Sequence, residues 1–412
     1  MKNYFIDLFA GCGGLSLGLE QAGFTPVYVN ELNKDALNTY LLNRREFKHL
    51  SDKRFKSNDI LELTGGNNLN KLQKNLKREF NINKGDISII VGGPPCQGYS
   101  GIGHRRSYSV DKENLPSNHL YKEMTKVIKH LNPKAFIFEN VRGLLSARWK
   151  RDGKKGEIFE DVKKEFKKLS NYYMDDFLIQ AKSYGVPQNR PRVLIIGIRK
   201  DTGFEKDEEL YKNGFLPNPT NDYPHPEELL SDLIDKNYDS NYVTSVYKSE
   251  PKNEIQTLLR KKKNKNSHFM KDEDLTEQEY SNHSPKIRAK FADMIKNDGV
   301  IKDKFKTKKF AQRLIPKKWG ESGPNITATS LPDDYVHFSQ PRSFTVREWA
   351  RFQTFPDWYQ FKGPRTTGGL RRAGNPRKNI FDRELPKYTQ IGNAVPVKLA
   401  YEVGRHIIKI LS

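Results

Sequence analysis

Tyr4-Phe5-Ile6-Asp7-Leu8-Phe9-Ala10-Gly11-Cys12-Gly13-Gly14 opens the chain as a strand that breaks into a glycine turn. Leu15, Leu19 and Ala22 then recur at helical spacing, and Gly23 is placed to close that helix. A second strand, Val27-Tyr28-Val29-Asn30, runs into Glu31, twenty positions after Gly11. Strand, glycine turn, helix, strand and acid make a nucleotide-type βαβ unit, in which glycines admit a ligand to the backbone and the acid takes ribose hydroxyls. The spacing Gly-x-Gly-Gly followed by Gly18 departs from the dinucleotide fingerprint. It points instead to an adenosine-containing cofactor other than NAD.

Downstream, Asn33 can cap a helix over Lys34 to Arg45, and Asn58-Asp59-Ile60 reads as a strand end. Asp59 is there either an acid poised for adenine or a simple loop residue. The run Ile89-Ile90-Val91-Gly92-Gly93-Pro94-Pro95-Cys96-Gln97-Gly98-Tyr99-Ser100 ends a β-branched strand in a stiff break with a cysteine beyond it. Ligands gather at the carboxyl ends of strands in α/β folds, so Cys96 is a candidate nucleophile. Locally it reads equally well as a half-buried turn thiol. Gly98 to Asn118 is aperiodic and too long for an ordinary connection, which suits a functional loop.

Leu120, Met124, Val127, Ile128 and Leu131 define a helix, and the strand from Lys134 to Phe138 delivers Glu139-Asn140-Val141. A helix marked by Ile158, Val162, Phe166 and Leu169 precedes the strands Phe177–Ile179 and Val193–Ile198. The fold class is α/β, a doubly wound, Rossmann-like domain over residues 1–200 plus 388–412. Residues 201–387 read as a smaller, irregular and mostly β domain, with a Gly/Arg-rich loop at 363–387. The closing helix from Pro396 carries Val397, Ala400, Val403, Ile407 and Leu411 on one face, so it needs the α/β core far back in sequence.

The 412 residues carry a formal net charge of +22, which favours encounter with a polyanion. Abundant Lys and Asn on a solvated surface also contribute to that excess. Two cysteines, Cys12 and Cys96, argue against a disulfide framework and for a reducing compartment. No apolar run approaches the roughly 20 residues that span a bilayer.

Six segments, in order, resemble the DNA (cytosine-5) methyltransferase family of bacterial restriction–modification systems. They are Phe9-Ala10-Gly11-Cys12-Gly13-Gly14, Pro94-Pro95-Cys96-Gln97, Glu139-Asn140-Val141, Gln188-x-Arg190-x-Arg192, the stretch Arg347 to Pro356, and Gly392-Asn393-Ala394-Val395-Pro396. The resemblance covers roughly residues 1 to 200 and 340 to 412, and gives 201–387 the position of a target-recognition domain. It implies S-adenosylmethionine as methyl donor, with Phe9, Gly11, Gly13, Gly14, Glu31, Asp59, Ile60, Pro94 and Asn393 forming its pocket, and no metal. Cys96 is then the nucleophile toward C6 of a flipped-out cytosine, Glu139 the proton donor at N3, and Arg192 the group holding the base and Glu139. Arg190 supports the site or the loop, and Gln188 is open between structure and function. Cys12 is expected to pack.

Gln97 and Ser100 would lie beside the target nucleotide, Arg105 and Arg106 would grip phosphates, and Arg371 and Arg372 suit phosphate or groove contact. The stretch Asp111 to Asn118 is longer and less arginine-rich than its family counterpart. Arg347 to Pro356 reads as structural. A cytoplasmic, nucleoid-associated monomer is expected, acting on double-stranded DNA, with any cognate restriction endonuclease working separately. The alternatives are a tRNA methyltransferase, whose branch carries a Cys-Phe-Thr tripeptide that is absent here, and a non-catalytic DNA-binding relative.

Overall fold

The computed structural model describes residues 2–95, 113, 115–306, 312–319, 325, 334–366 and 384–412. Strands β1 (Asn3–Leu8), β2 (Phe24–Asn30), β3 (Lys56–Ser57), β4 (Ile89–Gly92), β5 (Ala135–Val141), β6 (Tyr172–Gln180) and β7 (Pro191–Arg199) form one sheet. Its order is β3-β2-β1-β4-β5-β7-β6, with β7 antiparallel to both neighbours and the other pairings parallel.

Period-two alternation makes the sheet two-faced. Ile6, Leu8, Ile90, Phe136, Phe138 and Ile195 face one way, into a core completed by four helices on that side. These are α3 (Ile60–Thr64), α4 (Asn68–Phe80), α5 (Tyr121–Leu131) and α6 (Glu157–Lys167). Phe5, Ile89, Val91, Ile137, Ile196 and Ile198 face the other way. There they meet α1 (Gly14–Ala22) and the last helix, whose Leu399, Val403, Ile407 and Ile410 are buried. The doubly wound expectation therefore holds, and the C-terminal helix finds its core where its apolar stripe required.

Local signals act as read. Gly23 ends α1 at φ 109°, and the Asn33 side chain accepts from Asp35 and Ala36 N–H groups at the start of α2 (Lys34–Leu42). The expected strand end at residues 58–60 shifts: β3 stops at Ser57, and Asp59 caps α3 through Leu61 N–H. A side chain at Gly18 would lie 2.4 Å from both Ala400 Cβ and the Val397 carbonyl oxygen, so this glycine serves the close packing of α1 on the C-terminal helix.

The expected mostly β character of residues 201–387 is corrected by the described part of that region. It contains five short helices, α7 (Glu208–Asn213), α8 (Pro226–Leu230), α9 (Tyr238–Asn241), α10 (Glu254–Leu259) and α11 (Pro285–Lys296), followed by α12 (Val346–Phe352). Against these stand one two-stranded ladder, β8 (Arg313–Leu314) with β9 (Tyr335–Val336), and four isolated bridges. Buried ion pairs rather than a strand network organise it. Arg351 reaches Asp232 and Asp357 at 2.6 Å each, Arg260 reaches Asp232 at 2.7 Å, and Arg342 reaches Glu348 at 2.6 Å.

All of α12 is buried, which makes the Arg347 to Pro356 stretch structural. Its core also contains Cys12, Leu17, Tyr388, Ile391 and Val397, the last three from α13 (Lys387–Asn393) and α14 (Val397–Leu411), so packing runs continuously from this region into the α/β part. Among the described residues no helix is long and apolar enough to cross a membrane.

Candidate active site

Strand β5 delivers Glu139, and antiparallel β7 returns beside it with Leu194 opposite Glu139 and Arg192 opposite Val141. Alternate residues share a face, so Glu139 and Arg192 are diagonal neighbours on one side of the sheet. Arg192 Nε lies 2.6 Å from Glu139 Oε1, with side chains only 8% and 12% exposed. Arg192 also donates to the Pro191 carbonyl at 2.8 Å. The other carboxylate oxygen overlooks the end of β4: a Cβ at Gly93 would come within 2.8 Å of Glu139 Oε2. A side chain at position 93 would therefore displace the Glu139 carboxylate. Asn140 is buried and donates to the Pro94 carbonyl at 3.2 Å, tying β5 to the same break.

Gly93-Pro94-Pro95 thus passes Glu139 and leads directly into Cys96. Cys96, Gln97, Ser100, Arg105 and Arg106 lie outside the described residues, as do Arg371 and Arg372.

A second site occupies the carboxyl ends of β1 and β2. Phe9 follows β1 at φ 60°, a left-handed conformation that costs a non-glycine residue about 1–3 kcal/mol and concentrates at functional turns. Gly11 follows at φ 58°, with nothing within 4 Å of where a Cβ would stand. Its N–H donates to Glu31 Oε2 at 2.8 Å, and Asn33 N–H donates to Oε1 at 2.7 Å. An open cradle therefore lies next to a fixed carboxylate.

The neighbouring glycines serve differently from the expected pocket lining. A side chain at Gly13 would strike Arg44, Tyr40 and Tyr359, and one at Gly14 would strike the Val395 carbonyl at 2.3 Å. Both are required by what packs behind the loop, and only their backbone is left for a ligand. Asp59 is half-buried, whereas the Ile60 side chain belongs to the main core, which leaves its backbone for any adenine contact. Asn393 is exposed at the end of α13.

Arg190, expected to support the site or the loop, contacts the turn around Asn393. It is buried and donates to the Gly392 and Ala394 carbonyls at 2.8 and 2.9 Å, flanking Asn393. It is a positioning residue for that turn. Gln188 is buried and donates to the Phe352 carbonyl at 2.8 Å and to Gln353 Oε1 at 2.9 Å. Gln353 in turn donates to the Ile391 carbonyl at 2.7 Å. Cys12 packs as expected: it is buried against the Gln390 carbonyl, and burial pushes its thiol up to about 12.

A family profile described as C-5 cytosine-specific DNA methylase matches residues 4–409. The chain belongs to that family. The methylase is 29% identical to the Type II methyltransferase M.DdeI of Desulfomicrobium norvegicum, over 98% of this chain and 88% of the relative. It is 30% identical to M.PspPI of a Psychrobacter species, over 99% and 79% respectively. Its fold is also that of a crystal structure of a putative DNA modification methyltransferase encoded within an Escherichia coli prophage, at TM-score 0.69 and 22% identity, with 99% of both chains covered.

Two buried groups of the methylase oppose each other in their response to pH. Burial raises the Asp7 carboxyl to about 7, although Ser16 donates to it at 2.5 Å. Burial also lowers His337 to about 3. The folded state binds the Asp7 proton more tightly than the unfolded state, so this group's contribution to stability falls as pH rises from about 4 to 7. The His337 contribution is present above about 6.5 and is lost as pH falls toward 3. Asp7→Asn is expected to remove the first trend alone. Between pH 5 and 8 the wild type should lose roughly 2–3 kcal/mol more unfolding free energy than the variant, measured by urea titration. Parallel profiles would show that Asp7 is ionised throughout.

Proposed function

We propose that the methylase methylates C5 of a cytosine in duplex DNA through a covalent adduct of Cys96, drawing the methyl group from S-adenosylmethionine. The observation that carries this reading is the Glu139–Arg192 pair, held over Gly93 at the mouth of the segment that leads to Cys96. Gly11, Glu31, Asp59 and Asn393 fit the donor, because they offer an open backbone cradle, a fixed carboxylate, a half-buried acid and an exposed amide. When bound, the donor supplies an electrophilic methyl group.

Cytosine C5 is a poor nucleophile until something adds at C6. The Cys96 thiolate suits that addition, being soft, strongly nucleophilic and able to leave again. Addition pushes electron density toward N3, where Glu139 supplies a proton, while Arg192 holds Glu139 and the base in register. Once C5 has taken the methyl group, with S-adenosylhomocysteine left behind, the C5 proton passes to solvent, the C5–C6 double bond reforms, Cys96 departs as thiolate and N3 returns its proton to Glu139. None of these groups can reach C5 or C6 in a stacked duplex, so the base is flipped out at a cost of about a few kcal/mol. The net charge of +22 suits the phosphate backbone. The names of the relatives support a role as the modification enzyme of a restriction–modification pair, and the reading includes a monomer that acts apart from any endonuclease.

Incubating the purified protein with labelled donor and either plasmid or total tRNA tests the substrate. Label is expected in plasmid, with bisulfite sequencing placing it at cytosines in one sequence context. Label confined to tRNA would overturn the reading.

A further inference from the structure

Behind the glycine loop lies a polar cluster that the mechanism does not use. Arg44, just beyond α2, is fully buried. Its Nε meets Glu20 Oε1 at 2.5 Å, its Nη1 donates to the Tyr40 carbonyl at 3.1 Å and to the Tyr359 hydroxyl at 3.0 Å, and its Nη2 donates to the Gly13 carbonyl at 3.0 Å. The guanidinium stacks 3.9 Å from the Tyr40 ring centre. The Tyr359 hydroxyl in turn donates to the Cys12 carbonyl at 2.5 Å. Two successive carbonyls of the loop are therefore pulled inward, one by a residue after α2 and one by a residue that follows α12.

Tyr359 is itself held from the second region. Its carbonyl accepts from Arg347 Nη2 at 2.9 Å, and the same nitrogen donates to Thr276 Oγ1 at 2.9 Å. The next residue, Gln360, exchanges two hydrogen bonds with Asn43, at 2.8 and 3.0 Å. The fit leaves no slack, since a side chain at Gly13 would come within 3 Å of Arg44, Tyr40 and Tyr359 alike.

The peptide planes that carry these two carbonyls also make backbone bonds, Gly13 N–H to the Ala10 carbonyl at 3.0 Å and Leu17 N–H to the Gly13 carbonyl at 2.9 Å, so the two side chains reinforce a direction that the turn and the start of α1 share. The direction of those planes decides whether a ligand in the cradle meets N–H donors or carbonyl oxygens. A buried tyrosine hydroxyl and a buried guanidinium are costly unless their hydrogen bonds are made, so the cluster favours a single orientation. We propose that Tyr359 and Arg44 are positioning residues that lock the Cys12 and Gly13 carbonyls inward and thereby set the affinity for the methyl donor. Through Tyr359 the region expected to recognise DNA reaches into the donor site. This inference rests on the donor reading above.

The test is calorimetric titration of S-adenosylmethionine into the full-length protein without DNA. Tyr359→Phe removes one hydroxyl and keeps the ring, and is expected to weaken donor binding about tenfold. The KM for the donor should rise by a similar factor, while kcat at saturating donor and DNA affinity without donor stay within about twofold. Arg44→Lys keeps the charge facing Glu20 but loses the guanidinium fork, and it serves as the second variant with the same expected pattern. Donor affinity within twofold of wild type in a variant with a normal unfolding transition would overturn the proposal. So would equal losses of donor and DNA binding, which would mark the cluster as merely structural. Failure of the wild type to bind S-adenosylmethionine would instead overturn the donor reading itself.

Discussion

Cys96→Ala is expected to abolish methyl transfer, with a fall on the order of a million-fold, the scale on which removing a nucleophile costs other enzymes. The size follows from the chemistry, because without addition at C6 the ring carbon at C5 has almost no tendency to attack an electrophile. No second thiol can take over. Cys12, the other cysteine in the chain, is buried beside the Gln390 carbonyl, and its thiol is pushed up to about 12. DNA binding should survive, since the substitution removes no positive charge. Two measurements separate the outcomes. Labelled methyl incorporation reads the whole reaction, and a denaturation-resistant complex with duplex carrying 5-fluorocytosine reads the adduct, because fluorine at C5 blocks the elimination that would free the enzyme. Cys96→Ala should show neither. Incorporation within tenfold of wild type would show that C5 is activated by some route other than a Cys96 adduct.

Much of this arrangement was legible in the sequence because its signals are local. Phe5, Ile6 and Leu8 alternate between two buried faces, the glycine turn follows at once, and Glu31 stands where a second strand must end. The C-terminal helix was readable for the same reason, since its apolar stripe has no partner nearby in sequence. The second region was not legible in this way. Its short helices carry too few turns for a period to emerge, and its order depends on Asp232, which meets Arg260 and Arg351 across long separations in the chain. In sequence such residues resemble ordinary surface charges of a basic protein. Arg44 was missed for that reason, and Tyr359 because its partners, Arg44 and Cys12, lie more than three hundred positions away in the chain. Among the glycines, spacing showed that a loop must turn there. Only the packing showed that Gly11 faces open space while Gly13 and Gly14 face the protein.

Glu139→Gln is expected to lower kcat by about a hundred- to ten-thousand-fold, the range in which a positioned proton donor contributes. Glutamine keeps the shape and can still offer a hydrogen bond, but it cannot deliver a proton to N3 as Cys96 adds at C6. The loss should therefore appear in the addition step, before any methyl group moves. Exchange of the C5 hydrogen of cytosine with solvent reports that step without a productive turnover. It should slow in Glu139→Gln by the same factor as methylation. The substitution also takes the charge from the partner of Arg192, which Glu139 Oε1 meets at 2.6 Å. Arg192→Lys therefore provides the comparison: it retains a cation but loses the planar fork that aligns carboxylate and base. A smaller loss, of about ten- to a hundredfold, is expected there, because alignment suffers while the proton is still supplied. If Glu139→Gln slowed methylation but left C5 exchange at the wild-type rate, the proton at N3 would have to come from elsewhere, and Glu139 would be acting after addition rather than during it.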